Sequence, residues 1–94
     1  MPTLSDSEVQ ERLTNVPGWE RADEQSIARE LKFDDFAAAI AFVNRVAEAA
    51  EEANHHPDIL VYGWNKVRLT LSTHSEGGIT AADFELAARI DTLT

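Results

Sequence analysis

The sequence contains no cysteine, which excludes a disulfide framework, a thiol nucleophile and a thiolate metal site. No apolar run approaches the roughly 20 residues that a helix needs to cross a bilayer, and the amino terminus lacks the basic and apolar segments of a secretion signal. We therefore expect a cytoplasmic protein without membrane association. A chain of 94 residues is expected to form a single domain spanning residues 1–94.

Basic residues are scarce. The chain has 8 lysines and arginines against 17 aspartates and glutamates, which gives a formal net charge of −9 at pH 7. Such a surface repels phosphate backbones, so direct nucleic-acid binding is disfavoured. The hydrophobic content of 44% and charged content of 27% are typical of a globular protein with a packed core.

Glycine and proline are also few, with 4 and 3 copies, and they help to divide the chain into elements. Ser5 and Glu8 have the spacing of a capping box and predict a first helix, which ends at Pro17. The segments Trp19–Ala22 and Ser26–Phe33 are then predicted to pair as a β-hairpin across a polar turn.

The next helix is predicted to begin at Asp34 or Asp35 and to run, rich in alanine, to about Asn54. Its apolar stripe includes Phe36, Ile40, Val43, Ala47 and Ala50, and it is widened by Phe42, Val46, Ala49 and Ala53. Because this stripe is wider than one sheet face would cover, part of it is expected to meet another subunit. We therefore expect a homodimer or homotetramer, which would also extend the small core of so short a chain.

Two further strands are predicted after this helix. The segment Ile59–Tyr62 is rich in β-prone residues, and Gly63 follows it as a turn or bulge. From Lys66 to Thr73 apolar and polar residues alternate, which is typical of a strand with one buried face. Continuing this alternation places His74 at the end of the strand, on its polar face.

A last helix is predicted from Thr80, which has the capping-box spacing to Asp83. The element order is then helix, two strands, helix, two strands, helix. Strands and helices do not alternate one for one, as a parallel doubly wound fold requires. We expect an α+β fold, a four-stranded antiparallel sheet with three helices packed on one face.

All three histidines lie in the second half of the chain. His55 and His56 lie where the long helix must end, and they could share a pocket with His74 if the strand folds back beside that helix end. An unperturbed imidazole titrates near about pH 6.5, so a pocket of three favours acid-base catalysis. Glu51 lies one helical turn before His55 and is expected to orient its imidazole. His56 precedes Pro57 and is expected to point elsewhere.

Two other interpretations of these residues stay open at this point. A histidine at a helix end often only stabilises that end, and Asp83 has a sufficient role as the carboxylate of a capping box. The three histidines with Glu51 or Asp83 could also bind zinc or iron. Adjacent histidines diverge, however, and the usual pair four residues apart on a helix is missing, so we expect no metal.

A set of motifs spread over nearly the whole chain carries a family resemblance. They are Glu51, His55-His56-Pro57, Trp64-Asn65-Lys66-Val67, Ser72-Thr73-His74 and Thr80 to Asp83. Together they resemble the pterin-4a-carbinolamine dehydratase family, for which a paired-histidine-proline motif with a distant Thr-His is specific.

The resemblance implies dehydration of 4a-hydroxytetrahydropterin to quinonoid dihydropterin, a step that recycles the cofactor of aromatic amino acid hydroxylases. It implies a small-molecule pterin substrate and no metal or organic cofactor. It assigns proton transfer to His55 and His74, with His56 positioning the pterin. The residues expected around the substrate are Glu51, Asn54, Ser72, Thr73, Ser75 and Asp83.

The chain departs from the best-known animal members of the family at a few positions. Asn54 stands where they carry an aspartate, Ser75 stands where they carry a glutamate, and one extra residue near Gly63 is expected in the strand turn. No histidine is lost, so we expect activity to be retained. The resemblance also implies an alternative, a non-catalytic dimerisation or Rubisco assembly factor that binds another protein through its helical surface.

Overall fold

The computed structural model describes residues 2–94, and within them the helices and strands follow the predicted order. The elements are α1 Asp6–Leu13, β1 Glu20–Asp23, β2 Ser26–Lys32, α2 Phe36–Ala53, β3 Asp58–Tyr62, β4 Lys66–Leu71 and α3 Ala81–Asp91. The predicted α+β class is confirmed. None of the helices in residues 2–94 combines the length and the hydrophobicity that crossing a membrane requires.

The four strands form one antiparallel sheet in the order β1-β2-β4-β3. In the register of β2 and β4, Ile27 lies opposite Leu71 and Lys32 lies opposite Lys66. As the alternation predicted, the apolar residues of β4 are fully buried while its polar residues are half-buried. The sheet therefore has one core face and one open face.

The core lies between the core face of the sheet and the helices. Its fully buried residues include Val9 of α1, Phe42 and Val46 of α2, Ile90 of α3, and Ile27, Val67, Leu69 and Leu71 of the sheet. Truncating one of the larger aliphatic side chains to alanine would cost about 2–5 kcal/mol of stability. This packing holds the ends of α2, β4 and α3 in fixed relative positions.

Each helix begins at a residue that the sequence marks as a cap. Ser5 and Glu8 exchange the two hydrogen bonds of a capping box at α1. The bond that the Ser5 N–H donates to the Glu8 carboxylate is the main cause that lowers the pKa of this carboxyl. Asp35 caps α2, because its carboxylate accepts a hydrogen bond from the Ala38 N–H at 2.7 Å. The cap of α3 is Thr80.

Only part of the wide apolar stripe predicted for α2 faces the core. The buried side of α2 is formed by Ala39, Phe42, Val46, Ala49 and Ala50. Phe36, placed on the main stripe, is 55% exposed, and Ile40 and Val43 are only half-buried. The small side chains of Ala39 and Ala49 let α2 lie close to the sheet. The spacing of apolar residues along α2 did not show which side of the helix would face the core, because both the buried and the exposed stripe are apolar.

The end of β4 also differs from the prediction. The strand ends at Leu71, two residues before the predicted end, and His74 begins a short 3-10 helix, His74–Glu76. The cause is an isolated bridge in which the N–H of Thr73 donates to the carbonyl of Gly78 at 2.8 Å. This bridge closes a tight loop and turns the chain out of the sheet.

Candidate active site

A cavity of about 220 Å³ lies where the end of α2 meets the loop after β4. Its walls are formed by Asn54, His55, His56, Ser72, Thr73, His74 and Ser75. We call it the histidine cavity. Three side chains that are well suited to proton transfer at neutral pH therefore face one small space.

The backbone at the end of α2 determines where His55 lies. Asn54 caps the helix in the left-handed conformation, with φ of 51° and ψ of 41°. The N–H of His55 then donates to the carbonyl of Ala50 at 3.1 Å, which closes the helix end. Asparagine is one of the few residues other than glycine that tolerates this conformation. The left-handed turn carries His55 away from the helix face that Glu51 occupies.

The loop after β4 forms the opposite wall. The Thr73–Gly78 bridge closes this loop, and Gly77 completes it with φ of 71°, a value that glycine adopts without strain. The imidazole of His74 is exposed at the start of the 3-10 helix. A bridged loop of this kind holds His74 more firmly than an open loop would.

The imidazole of His55 binds Asp83, and the predicted pairing with Glu51 is wrong. Nε2 of His55 lies 2.6 Å from Oδ1 of Asp83, whose side chain is fully buried, while 16% of the His55 side chain is exposed. The left-handed Asn54 turns His55 inward from the helix surface, so the carboxylate one helical turn earlier is out of line with it.

The second oxygen of Asp83 accepts two further hydrogen bonds. The N–H of Thr80 and the hydroxyl of Thr73 each donate to Oδ2 at 2.9 Å. Since the Thr73 hydrogen is used in this bond, the Thr80 hydroxyl is the donor in the 2.8 Å contact between the two threonines. With both oxygens accepting, Asp83 receives a hydrogen from Nε2 of His55, which leaves Nδ1 as the imidazole nitrogen without a carboxylate partner.

Glu51 is paired with the second histidine of the cavity. Its Oε2 lies 2.5 Å from Nε2 of His56, and both side chains are largely exposed, at 76% and 58%. His55 and His56 thus bind different carboxylates. The sequence predicted that they would point in different directions, because His56 precedes Pro57. An exposed pair of this type contributes about 0–1 kcal/mol to stability.

The predicted site residues fall into two groups. Asn54, Ser72, Thr73 and Ser75 line the cavity with the three histidines, whereas Glu51 and Asp83 do not. Thr80 was predicted only as a helix cap, and the capping-box bond from its N–H to Asp83 also holds that carboxylate behind His55. The sequence contained one signal for this role: a capping-box carboxylate uses only one of its oxygens for the cap, which leaves the other free.

Within the described residues 2–94, no three histidine, aspartate or glutamate side chains are grouped as a metal site. The buried polar atoms around Asp83 bind one another, and no buried side-chain nitrogen or oxygen in the described part of the chain lacks a hydrogen-bond partner. The carboxylate of Asp83 is therefore committed to the hydrogen-bond network that carries His55.

Comparison with known sequences identifies the class to which this fold and site belong. The family described as pterin 4 alpha carbinolamine dehydratase matches residues 2–93. The chain belongs to this family. A relative from Acidobacterium capsulatum, which bears a provisional pterin-4-alpha-carbinolamine dehydratase name, is 50% identical over 93 residues, with 99% of each chain covered. A relative from Rubrobacter xylanophilus with the same provisional name is 44% identical over 93 residues, covering 99% of this chain and 86% of the relative.

Two solved structures are similar to the chain as well. A protein from Brucella melitensis, described as a transcriptional coactivator/pterin dehydratase, is 37% identical and aligns over 97% of each chain with a TM-score of 0.91. A pterin dehydratase-like protein described as a RuBisCO assembly factor in the alpha-carboxysome is 27% identical, with a TM-score of 0.66 over 81% of this chain and 88% of that chain. Proteins of more than one described role thus share the fold.

Proposed function

We propose that the chain catalyses the dehydration of 4a-hydroxytetrahydropterin to quinonoid dihydropterin and water, and so returns the pterin for reuse in a hydroxylation cycle. The observation that carries this proposal is the histidine cavity, in which His55, His56 and His74 face one space and a buried carboxylate stands behind His55. Membership of a dehydratase family supports the same reaction.

The reaction needs two proton transfers. The bond between C4a and the hydroxyl oxygen breaks, and the oxygen leaves as water after it receives a proton. N5 loses its proton and its electron pair forms the new double bond to C4a. One proton enters and one leaves, so an acid and a base on the two sides of the reacting atoms suffice, and no electron acceptor is needed.

In this proposal His55 and His74 carry the two protons, because they lie on opposite walls of the cavity. His55 would exchange its proton through Nδ1, since Nε2 is bound to Asp83. Asp83 is fully buried, so it acts through His55 as a positioning residue and does not contact the pterin. Because the imidazole ring of His55 is held in one orientation, less entropy is lost on reaching the transition state.

His56 and the polar walls are assigned to substrate binding. The Glu51 carboxylate orients His56 at the mouth of the cavity. Asn54, Ser72, Thr73 and Ser75 offer amide and hydroxyl groups, together with backbone donors and acceptors, to the edge of a flat heterocycle. These groups hold the ring so that C4a lies between the two proton-transfer histidines.

The test of this function is a dehydration assay. Purified protein is mixed with freshly generated 4a-hydroxytetrahydropterin, and quinonoid dihydropterin is followed by absorbance against the spontaneous reaction. We expect the first-order rate to rise in proportion to protein concentration. A rate equal to the spontaneous one at every protein concentration contradicts the proposal.

A second candidate function is supported by exposed apolar side chains outside the cavity. Phe36 on α2, Leu60 on β3 and Trp64 in the turn after β3 are 53–61% exposed, and one structural relative is described as an assembly factor. These side chains fit an interface, either with another protein or with further copies of the chain. Light scattering tests the homodimer or homotetramer that we propose, and a strict monomer at high concentration contradicts it.

A further inference from the structure

A chain of hydrogen bonds runs from the start of α3 to the carboxylate behind His55. The hydroxyl oxygen of Thr80 accepts a hydrogen bond from the N–H of Ala82 at 3.2 Å. It lies 2.8 Å from the hydroxyl oxygen of Thr73, which is itself 2.9 Å from Oδ2 of Asp83. The other oxygen of Asp83 lies 2.6 Å from Nε2 of His55. Two hydroxyls and one carboxylate thus connect the first turn of α3 to the histidine cavity.

The hydrogen bonds of this chain run in one direction. A backbone N–H is always a donor and a carboxylate oxygen is an acceptor, so each hydroxyl between them accepts on the α3 side and donates on the Asp83 side. Thr80 therefore donates to Thr73, and Thr73 donates to Asp83. A carboxylate that only accepts favours the form of His55 that carries a hydrogen on Nε2.

The hydroxyl of Thr80 acts in this chain without reaching the substrate. Its side chain is fully buried and is not part of the wall of the histidine cavity. The N–H of Thr80 also donates to Oδ2 of Asp83, and this backbone bond does not depend on the side chain. Thr73 is half-buried in the cavity wall, so without the bond from Thr80 its hydroxyl is free to turn from Asp83 toward the cavity.

We propose that the Thr80 hydroxyl is a positioning group of the active site, which orients Thr73 toward Asp83 and so fixes the imidazole of His55. Hydrogen bonds in such a chain polarise and strengthen one another, so the loss of the first bond weakens the later ones. The catalytic part of this inference rests on the proposed function. It acts on kcat and leaves KM almost unchanged, because Thr80 does not contact the substrate.

Two substitutions of Thr80 separate its hydroxyl from its shape. Thr80→Val keeps the branched shape without the hydroxyl, and we expect kcat to fall by about tenfold with KM within about twofold of wild type. Thr80→Ser keeps the hydroxyl, so its kcat should stay within about threefold of wild type. Thr73→Val interrupts the same chain while the cap of α3 stays in place, and it replaces Thr80→Val if that variant does not fold.

Asp35→Ala is the matched control, because valine at position 80 also removes the side-chain cap of α3. Asp35 is the cap of α2, and the 18 residues of α2 place this cap about 27 Å from the end that carries His55. Loss of either cap should lower the unfolding midpoint by a similar amount. Only Thr80→Val should also lower kcat.

A second measurement needs no substrate. In protein that contains isotopically labelled histidine, the hydrogen on Nε2 of His55 is observed by NMR and is assigned by its absence in His55→Ala. We expect this signal to be the same in wild type, Thr80→Ser and Asp35→Ala. In Thr80→Val it should shift clearly or be lost through exchange with water.

The outcomes separate this inference from the proposed function. An unchanged His55 signal in Thr80→Val overturns the inference, whether or not the protein is a dehydratase. A wild-type kcat in Thr80→Val, or an equal loss of kcat in Thr80→Ser or Asp35→Ala, overturns its catalytic part. If wild-type protein does not accelerate dehydration but the His55 signal responds as expected, the proposed function fails and the positioning of His55 by Thr80 stands.

Discussion

Asp83 and His55 meet at 2.6 Å across 28 residues of sequence, with the carboxylate fully buried and the imidazole at the wall of a cavity. The contact joins the first turn of α3 to the residue that follows Asn54, the cap at the end of α2. Through Thr73, which donates to the same carboxylate, it also joins the loop after β4. Three separate elements of the fold thus fix the orientation of one side chain.

Asp83→Asn should lower both activity and stability. An amide in place of the carboxylate presents one donor group to neighbours that are themselves donors, so at least one of the present hydrogen bonds is lost. We expect kcat to fall by about 100-fold and the free energy of unfolding to fall by about 1–3 kcal/mol. The assay is dehydration kinetics together with urea unfolding followed by tryptophan fluorescence.

A double variant separates the effect of Asp83 on kcat through His55 from a general loss of stability. In a His55→Ala background, Asp83→Asn should cause little further loss of kcat, because the group that it positions is already absent. Asp34→Asn, the same substitution at an exposed position, should change neither quantity. Fully multiplicative losses in the double variant would show that Asp83 acts on activity by another route.

Glu51→Gln should have a much smaller effect than Asp83→Asn. Glu51 and His56 are exposed, and a neutral amide can still accept the hydrogen bond from the imidazole. We expect kcat/KM to change by no more than about threefold and the free energy of unfolding by less than about 0.5 kcal/mol. The two variants measured side by side decide which carboxylate serves the reaction, and a larger loss in Glu51→Gln would reverse the assignment.

Substitutions of Asn54 test whether the left-handed backbone places His55. Asn54→Gly and Asn54→Ala both remove the amide side chain, but only alanine is strained at φ of 51°. The alanine variant should be less stable than the glycine variant by about 1 kcal/mol and should have a lower kcat/KM. Equal values in the two variants would mean that the backbone conformation at this position is not needed.

The open face of the sheet allows a test that needs no substrate. Tyr62, the only tyrosine in the chain, donates a hydrogen bond from its hydroxyl to Oε1 of Glu30 at 2.5 Å. This bond, together with partial burial and the Glu30 charge, raises the pKa of the Tyr62 hydroxyl. An absorbance titration at alkaline pH should therefore show ionisation above the ordinary tyrosine range.

Glu30→Gln should return the Tyr62 pKa toward its ordinary value, and Glu48→Gln on the exposed side of α2 is the control. Because the folded pKa is raised, the stabilisation from this bond is fully present below the ordinary tyrosine pKa of about 10 and is lost as pH rises through the folded value. Titration curves that coincide in wild type and Glu30→Gln would contradict the contact.

The fold was predictable because its signals are local. Capping boxes at Ser5 and Thr80 and the strict alternation of β4 each depend on residues a few positions apart. The side of α2 that faces the core was not predictable in this way. Both stripes of α2 are apolar, so the choice depends on how closely its alanines let it approach the sheet.

The site was only partly predictable, because its contacts are both local and distant. The three histidines meet because α2 ends just before His55 and the loop after β4 turns at His74. Asn54 and Gly77, which adopt positive φ, lie at these two chain turns. The partner of His55 was missed, because a left-handed residue changes the direction of the next side chain. Helical spacing alone therefore pointed to Glu51.

The central claim is that the histidine cavity performs the proton transfers, and His74→Ala tests it most directly. His74 is exposed and is not part of the hydrophobic core formed by the described residues. The variant should therefore keep the circular dichroism spectrum and unfolding midpoint of wild type. In the dehydration assay we expect wild type to exceed the spontaneous rate and His74→Ala to lose about 10²–10⁴-fold in kcat. Turnover of His74→Ala equal to that of wild type would contradict the account.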